Sequence, residues 1–264
     1  MKSNGFQFAI VVLLMLSSSI YAQKITVGAK GGFSIPNLTG GGSENPLNTG
    51  YSSRFGPDGG IYGEYHLNGK FSISVGMEYC SQGGLKDKFQ AYPTPAEMAP
   101  LFAPGTAPTY LYADFKSEAK LDYFLVPVLA KYCWKLDKKN HLHFYAAVGP
   151  FAGFLLNAHQ VTSGSSLIYL DEQKTMPLPL PAQPFDADTD IKSDLYTFNT
   201  GVSGFVGFSY SFTQKHALFI EGGGNYGFIP IQKGIANGKN HTGAGVVTIG
   251  YAYTIQNHFR RRGM

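Results

Sequence analysis

Several groups of side chains have types and spacings that could carry chemistry. Gly222, Gly224 and Gly227 match the G-x-G-x-x-G fingerprint, which cradles a pyrophosphate only where a strand leads in and a helix opens behind it. This segment instead runs on into Phe228-Ile229-Pro230, so its glycines read as relief of crowding in a curved wall. Asp186, Asp188 and Asp190 could offer oxygens to Ca²⁺, but an EF-hand loop needs Gly at its sixth position and Glu at its twelfth, and the twelfth here is Thr197. His141 and His143, two apart, are expected to face one interior with His66 at the same rim; imidazoles bind zinc, yet no clear carboxylate or thiolate completes the set.

His159, Ser163, Ser165, Ser166 and Asp171 are the types that a lipid acyl hydrolase uses, although a serine-rich turn gives the same letters. Cys80 and Cys133 should fall at opposite ends of neighbouring strands, far beyond the roughly 7 Å Cα separation that a disulfide tolerates, so two free thiols are expected. No catalytic, cofactor-binding or metal-binding residue is therefore assigned, and neither a cofactor nor an enzyme is expected.

The elements that must position these residues follow from the ends, the composition and the periodicity. Lys2, the apolar run Phe8–Leu16 and the small residue Ala22 read as a signal peptide cleaved after Ala22, too short to span a bilayer. Residues 23–264 then form one domain. Charged residues make up 14% of the chain, well below the roughly 25% of ordinary soluble domains, while 33 Gly, 17 Tyr and 20 Phe suit aromatic-rich strands. The formal charge of +4 owes much to Arg260-Arg261-Arg262 and makes no case for nucleic acid.

Apolar and polar residues alternate with period two in eight segments, as in a membrane barrel whose wall faces lipid on one side and the lumen on the other. Ile25 to Ser34, Phe71 to Cys80, Tyr196 to Phe212 and Val247 to Ile255 carry the pattern most clearly, with 56–67, 119–134, 141–156 and 216–228 completing it. Short connections, including an Asn68-Gly69 type I′ hairpin signal, alternate with long ones at 35–54, 84–117, 157–194 and 229–242. Twelve of the 15 prolines fall in those long connections, the exceptions being Pro57, Pro127 and Pro150. The expected fold is all-β: an eight-stranded antiparallel up-and-down transmembrane barrel with short periplasmic turns and long extracellular loops. The competing fold is a soluble periplasmic lipocalin-like carrier with its apolar face inside.

The chain resembles the porin-family, PorT-like outer-membrane β-barrel domain. The resemblance rests on Tyr21-Ala22-Gln23, Val27-Gly28-Ala29-Lys30-Gly31-Gly32, the run Tyr123–Tyr132, and Gly243, Gly245 and Gly250-Tyr251. It implies a barrel of this size in the cell outer membrane, without a shared catalytic residue. Such barrels often finish on an aromatic, whereas Phe259 is followed here by Arg260–Met264.

An eight-stranded lumen is filled by side chains, and Lys30, Glu64, Glu78, Lys131 and Glu221 are expected to pair there as a plug. Function is then expected at the surface: a structural, adhesive or partner-binding role, in contact with outer-membrane lipid and lipopolysaccharide. The stretches 84–117 and 157–194, with proline-stiffened aromatics such as Tyr92, Phe102, Tyr110 and Phe185, are the expected site for a protein or glycan partner. The alternative is a barrel enzyme hydrolysing outer-membrane lipid acyl chains.

Overall fold

A computed structural model of the chain describes residues 24–42, 44–234 and 238–256. The expected signal segment 1–22 and the stretch Phe259–Met264 lie outside the described residues. The wall consists of β1 (Lys24–Thr39), β2 (Gly56–His66), β3 (Phe71–Pro93), β4 (Tyr110–Lys135), β5 (Leu142–Ser163), β6 (Phe198–Ser211), β7 (His216–Gly227) and β8 (His241–Gln256). Each strand pairs antiparallel with the next, and β8 returns to β1, Lys24 opposite Gln256 and Thr39 opposite His241. Closure matters because an open edge in hydrocarbon would leave a row of backbone groups without partners.

Strand parity decides which face meets lipid. Val27, Ile61, Val75, Val128, Val148, Val206, Ile220 and Ile249, one from each strand, are exposed on the outside. Thr26, Glu64, Ser74, Tyr145, Ser203, Glu221 and Thr248 are buried inside. A lipocalin has the reverse arrangement, so the inside-out alternative is overturned by the apolar outer face.

Three short turns close one end, each held by a side-chain oxygen. Asn68 Oδ1 accepts from the amides of Lys70 and Phe71, Asp137 Oδ1 from those of His141 and Leu142, and Thr213 Oγ1 from those of Lys215 and His216. The type I′ expectation fails at the first of them, because neither Asn68 nor Gly69 has a positive φ. The connection spans Leu67–Lys70, and the Asn68 carboxamide replaces the backbone geometry that a two-residue loop would need.

The long connections are shorter than expected, because four strands run past the boundaries read from the sequence: β1 to Thr39, β3 to Pro93, β4 from Tyr110 and β5 to Ser163. Pro36 and Pro93 therefore belong to the wall rather than to loops. Along β4 the outer face is apolar at Phe124, Val126, Val128, Ala130, Tyr132 and Trp134, then becomes Asp122, Lys120, Glu118, Lys116 and Asp114. On the inner face of that upper stretch Leu111, Ala113, Phe115 and Leu121 are buried. The charged outer face marks the point where the strand leaves hydrocarbon for water. A bulge between Asp122 and Tyr123, facing Leu155–Asn157, sits at this boundary. Gly83 lies close above it with φ +117°, where a Cβ would stand 1.9 Å from the Ala119 carbonyl oxygen, so only glycine fits. We call the ordered projection formed by 81–93, 110–122 and 157–163 the flange.

Replacing Val206, in the middle of the outer face of β6, by arginine should destabilise the barrel by about 2–4 kcal/mol, the cost of a cation near the bilayer midplane. Urea titration in lipid vesicles would measure this, and a cost below about 1 kcal/mol would place Val206 away from hydrocarbon.

Candidate functional site

The lumen is layered along its axis. At its centre the Lys30 ammonium lies 2.9 Å from Glu78 and 2.9 Å from Glu221, with side-chain exposures of 5%, 7% and 10%. Glu221 also accepts from the Tyr145 hydroxyl at 2.8 Å and from Thr248 at 3.2 Å. Tyr145 reaches across β6 because Gly207 has no Cβ; one there would come within 2.6 Å of the tyrosine ring. A second group lies toward the short-turn end, where Lys131 meets Glu64 at 2.9 Å and Ser72 donates to the same carboxylate at 2.6 Å. The five expected plug residues therefore pair as read from the sequence, and burial of their charges is tolerable only because each has partners. Toward the other end, Gln82 donates to Asn225 at 2.8 Å and to Cys80 Sγ at 3.1 Å.

Above the plug the extracellular mouth is sealed by an apolar cluster. Leu38, Leu121, Tyr123, Leu125, Phe151, Leu155, Leu195 and Ile231 pack into one core, with Tyr51 and Ile191 against it. The long connections thus fold back into the barrel mouth. Loop 40–55 is also anchored by Lys86 of the flange, whose buried amine donates to the Leu47 carbonyl at 2.8 Å and lies 4.3 Å over the Tyr51 ring. Burial, with Lys88 nearby, pushes that amine down to about 8.

Connection 164–197 is ordered against the flange. Its segment Ala187–Asp190 pairs with β5 as an added strand, and Tyr169 exchanges backbone hydrogen bonds with Tyr112. Phe185 stacks on Phe115 with centroids 4.4 Å apart, Tyr92 meets both rings edge-on, and Phe89 packs against Tyr112 and Tyr169. The tip beyond Pro93 carries a 3-10 turn, Ala96–Leu101, that exposes Leu101. Met176 and Leu167, in the neighbouring connection, are exposed as well.

At the short-turn end the lumen opens into a cavity of about 260 Å³. Lys24, Lys70, Lys131, Lys135, His66 and His143 line it, together with Cys133 and the Glu64 carboxylate.

The residues singled out for chemistry are mostly kept apart. His143 lies in this cavity and His66 shares a hydrogen bond with Thr26, but His141 meets Tyr210 edge-on, and that ring is on the lipid side, so His141 and His143 do not face one interior. His159 pairs with Asp188 at 2.9 Å, Ser165 and Ser166 pair with Pro184 and Gln183, and Asp171 holds its own turn through Thr175 and Met176. Asp186 accepts from the Gly164 amide and Asp190 from that of Lys192, so the aspartates serve separate turns. Gly222, Gly224 and Gly227 lie within β7. Cys80 stands opposite Tyr123, while Cys133 is at the far end of β4 opposite Tyr145, and both are free. At about 3.3 Å per residue, the stretch from Tyr123 to Cys133 is on the order of 30 Å. Sequence reasoning missed Lys24, Lys70 and Lys135, although strand parity carries Lys24 and Lys135 to the lumen side.

The profile of one family, the outer membrane protein beta-barrel domain, matches residues 21–233. No curated protein sequence matches the chain. Among solved structures it is similar to Neisserial surface protein A, at 14% identity and a TM-score of 0.39, over 87% of this chain and 96% of that one. It is also similar to the attachment invasion locus protein Ail of Yersinia pestis, at 8% and 0.35, over 88% and 99%. A third likeness is to OprG of Pseudomonas aeruginosa, at 12% and 0.36, over 89% and 96%.

Substituting Lys30 by methionine should cost about 3–5 kcal/mol, because it strands two buried carboxylates. Adding Glu78→Gln and Glu221→Gln should recover much of that loss in the same urea titration, and absence of recovery would contradict the paired plug. The Lys86 amine sets a separate pH dependence. Because its folded value is depressed, the unfolded chain binds more protons above about pH 8, and stability rises with pH. The window closes near pH 10, where unfolded tyrosines ionise while buried Tyr51 is held up to about 12. Between pH 8 and 10 the native protein should therefore gain stability relative to the Lys86→Met variant, and parallel pH profiles for the two would contradict the depressed amine.

Proposed function

The chain belongs to the outer membrane protein beta-barrel domain family and lies in the cell outer membrane, and from that premise we propose that it is a non-catalytic binding unit whose flange holds a protein or glycan partner outside the cell. The observation that carries this reading is the ordered projection of β3, β4 and β5. Thirteen residues of β4, Tyr110–Asp122, stand above the apolar belt, on the order of 40 Å of strand. A wall that only sealed the membrane would need roughly 9–11 residues per strand. The extra length is stiffened by ring packing and by the added strand, so its surface is pre-organised and loses little entropy on docking.

The flange surface suits recognition. Asp114, Lys116 and Lys120 present charges of both signs, Glu118 between them is held by Arg54 at 2.8 Å, and exposed Leu101, Leu167 and Met176 supply apolar contact. The belt below meets lipid, with lipopolysaccharide as the proposed neighbour at its outer edge. Residues 1–22 are proposed as a secretion signal, so the mass of the mature protein should begin at Gln23 rather than Met1.

Cells of a non-adherent strain displaying the protein should attach to members of an immobilised panel of glycans and matrix proteins. Exchanging residues 86–117, which start and end on the Lys86–Ser117 pair, for a short turn should abolish attachment while the barrel keeps its heat-dependent gel shift. Attachment that survives trimming, or none by the intact protein, would leave a structural role, with envelope fragility expected in a deletion strain.

A further inference from the structure

The basic cavity lies at the opposite end from the flange, and the proposed partner does not explain it. Its polarity is one-sided. Glu64, the one carboxylate in its lining among the described residues, is already held by Lys131 and Ser72. Asp137, on the adjacent turn, is engaged by the amides of His141 and Leu142. Lys24, Lys70 and Lys135 have no ion pair among the described residues. Ammonium groups without counter-charges around one concavity repel each other, and low-dielectric walls focus their field into it. Hydroxyls of Ser209 and Ser211 lie in the same lining, with Ala217 and Phe219 as apolar walls. The plug and the apolar cap close the far side, so a ligand enters only from the periplasm.

We propose that this vestibule binds a small polyanion, carrying phosphate or carboxylate groups, between Lys24, Lys70 and Lys135. The shared chemistry is an oxyanion that neutralises several ammonium groups at once, supplied either by a free periplasmic metabolite or by a phospholipid headgroup reaching over the rim.

The protein carries its own reporter. Cys133 lines the vestibule, whereas Cys80 is 0% exposed, so added reagents should modify only Cys133. In neutral phosphatidylcholine vesicles, with each rate divided by that of the same reagent with free 2-mercaptoethanol, an anionic sulfonate methanethiosulfonate should react with Cys133 about tenfold or more faster than its trimethylammonium analogue. High salt should reduce this ratio, and the variant Lys24→Gln/Lys70→Gln/Lys135→Gln, checked for its heat-dependent gel shift, should bring it near one. Pyrophosphate or citrate at sub-millimolar concentration should slow modification in the native protein and not in the variant. Slowing by phosphatidylglycerol alone, with no further effect of pyrophosphate, would identify a headgroup as the oxyanion source; slowing by pyrophosphate in neutral vesicles would identify a free anion. Equal rates for the two reagents after that division, or no protection by any of the three anions, would overturn the proposal.

Discussion

Everything in this molecule depends on one constraint: inside hydrocarbon, no backbone amide or carbonyl can be left without a partner. A closed antiparallel ring meets it, and the β8–β1 pairing, continuous from Lys24 opposite Gln256 to Thr39 opposite His241, is where the ends of the chain complete it. Once the ring is closed, period-two alternation assigns every side chain to lipid or lumen. Inward charge follows, because polar residues excluded from lipid have only the lumen to enter. The lumen of eight strands is too narrow for water to solvate them freely, so they must solvate each other. The Lys30 ammonium shared by Glu78 and Glu221, and the Lys131–Glu64 pair, are that solution.

The same alternation serves a second solvent without a break in the chain. Below Tyr123 the outward residues of β4 are apolar; above it they are charged, and the inward residues become Leu111, Ala113, Phe115 and Leu121. The hydrogen-bonded ladder of β3 and β4 continues through the change in registers that sum to one value from Phe71–Tyr132 to Pro93–Tyr110. A soluble hairpin and a membrane hairpin are thus fused end to end, with the bulge at Asp122/Tyr123 and the glycine at 83 taking up the change.

That fusion explains what could and could not be read from the sequence. The eight strands and the five plug residues were legible because each lies where outward apolar residues alternate with inward polar ones. The separation of Cys80 from Cys133 was legible for the same reason, since register follows from strand order. The upper halves of β3 and β4 were not, because their polarity is inverted: Asp114, Lys116, Glu118 and Lys120 look like a solvated loop if the outward face is required to be apolar. The period-two signal was present all the same, with its sign reversed. The Asn68-Gly69 turn was misread for a different reason: the Asn68 side chain caps two amides, so positive backbone φ is not needed. Histidine 141 was assigned to the lumen by counting from His143, but it lies before β5 begins, where alternation no longer applies.

The two ends of the lumen are built on opposite principles, and this makes the barrel vectorial. The extracellular mouth is filled by Leu38 of β1 with Leu195 and Ile231 from two of the long connections, an apolar seal that needs no partner and leaves the flange as the part presented outward. The periplasmic mouth keeps a water-accessible space whose lining includes Lys24, Lys70 and Lys135, none of them in an ion pair among the described residues. Ion pairs were available to this protein, as the plug shows three times over within the same wall. Lys24, Lys70 and Lys135 are left without them at a concave mouth, exposed to water, where their fields add and favour an anion from outside the chain. The fold therefore separates two surfaces: the stiff flange proposed for recognition on one side of the membrane and the lysine-lined vestibule on the other, with the paired plug between them.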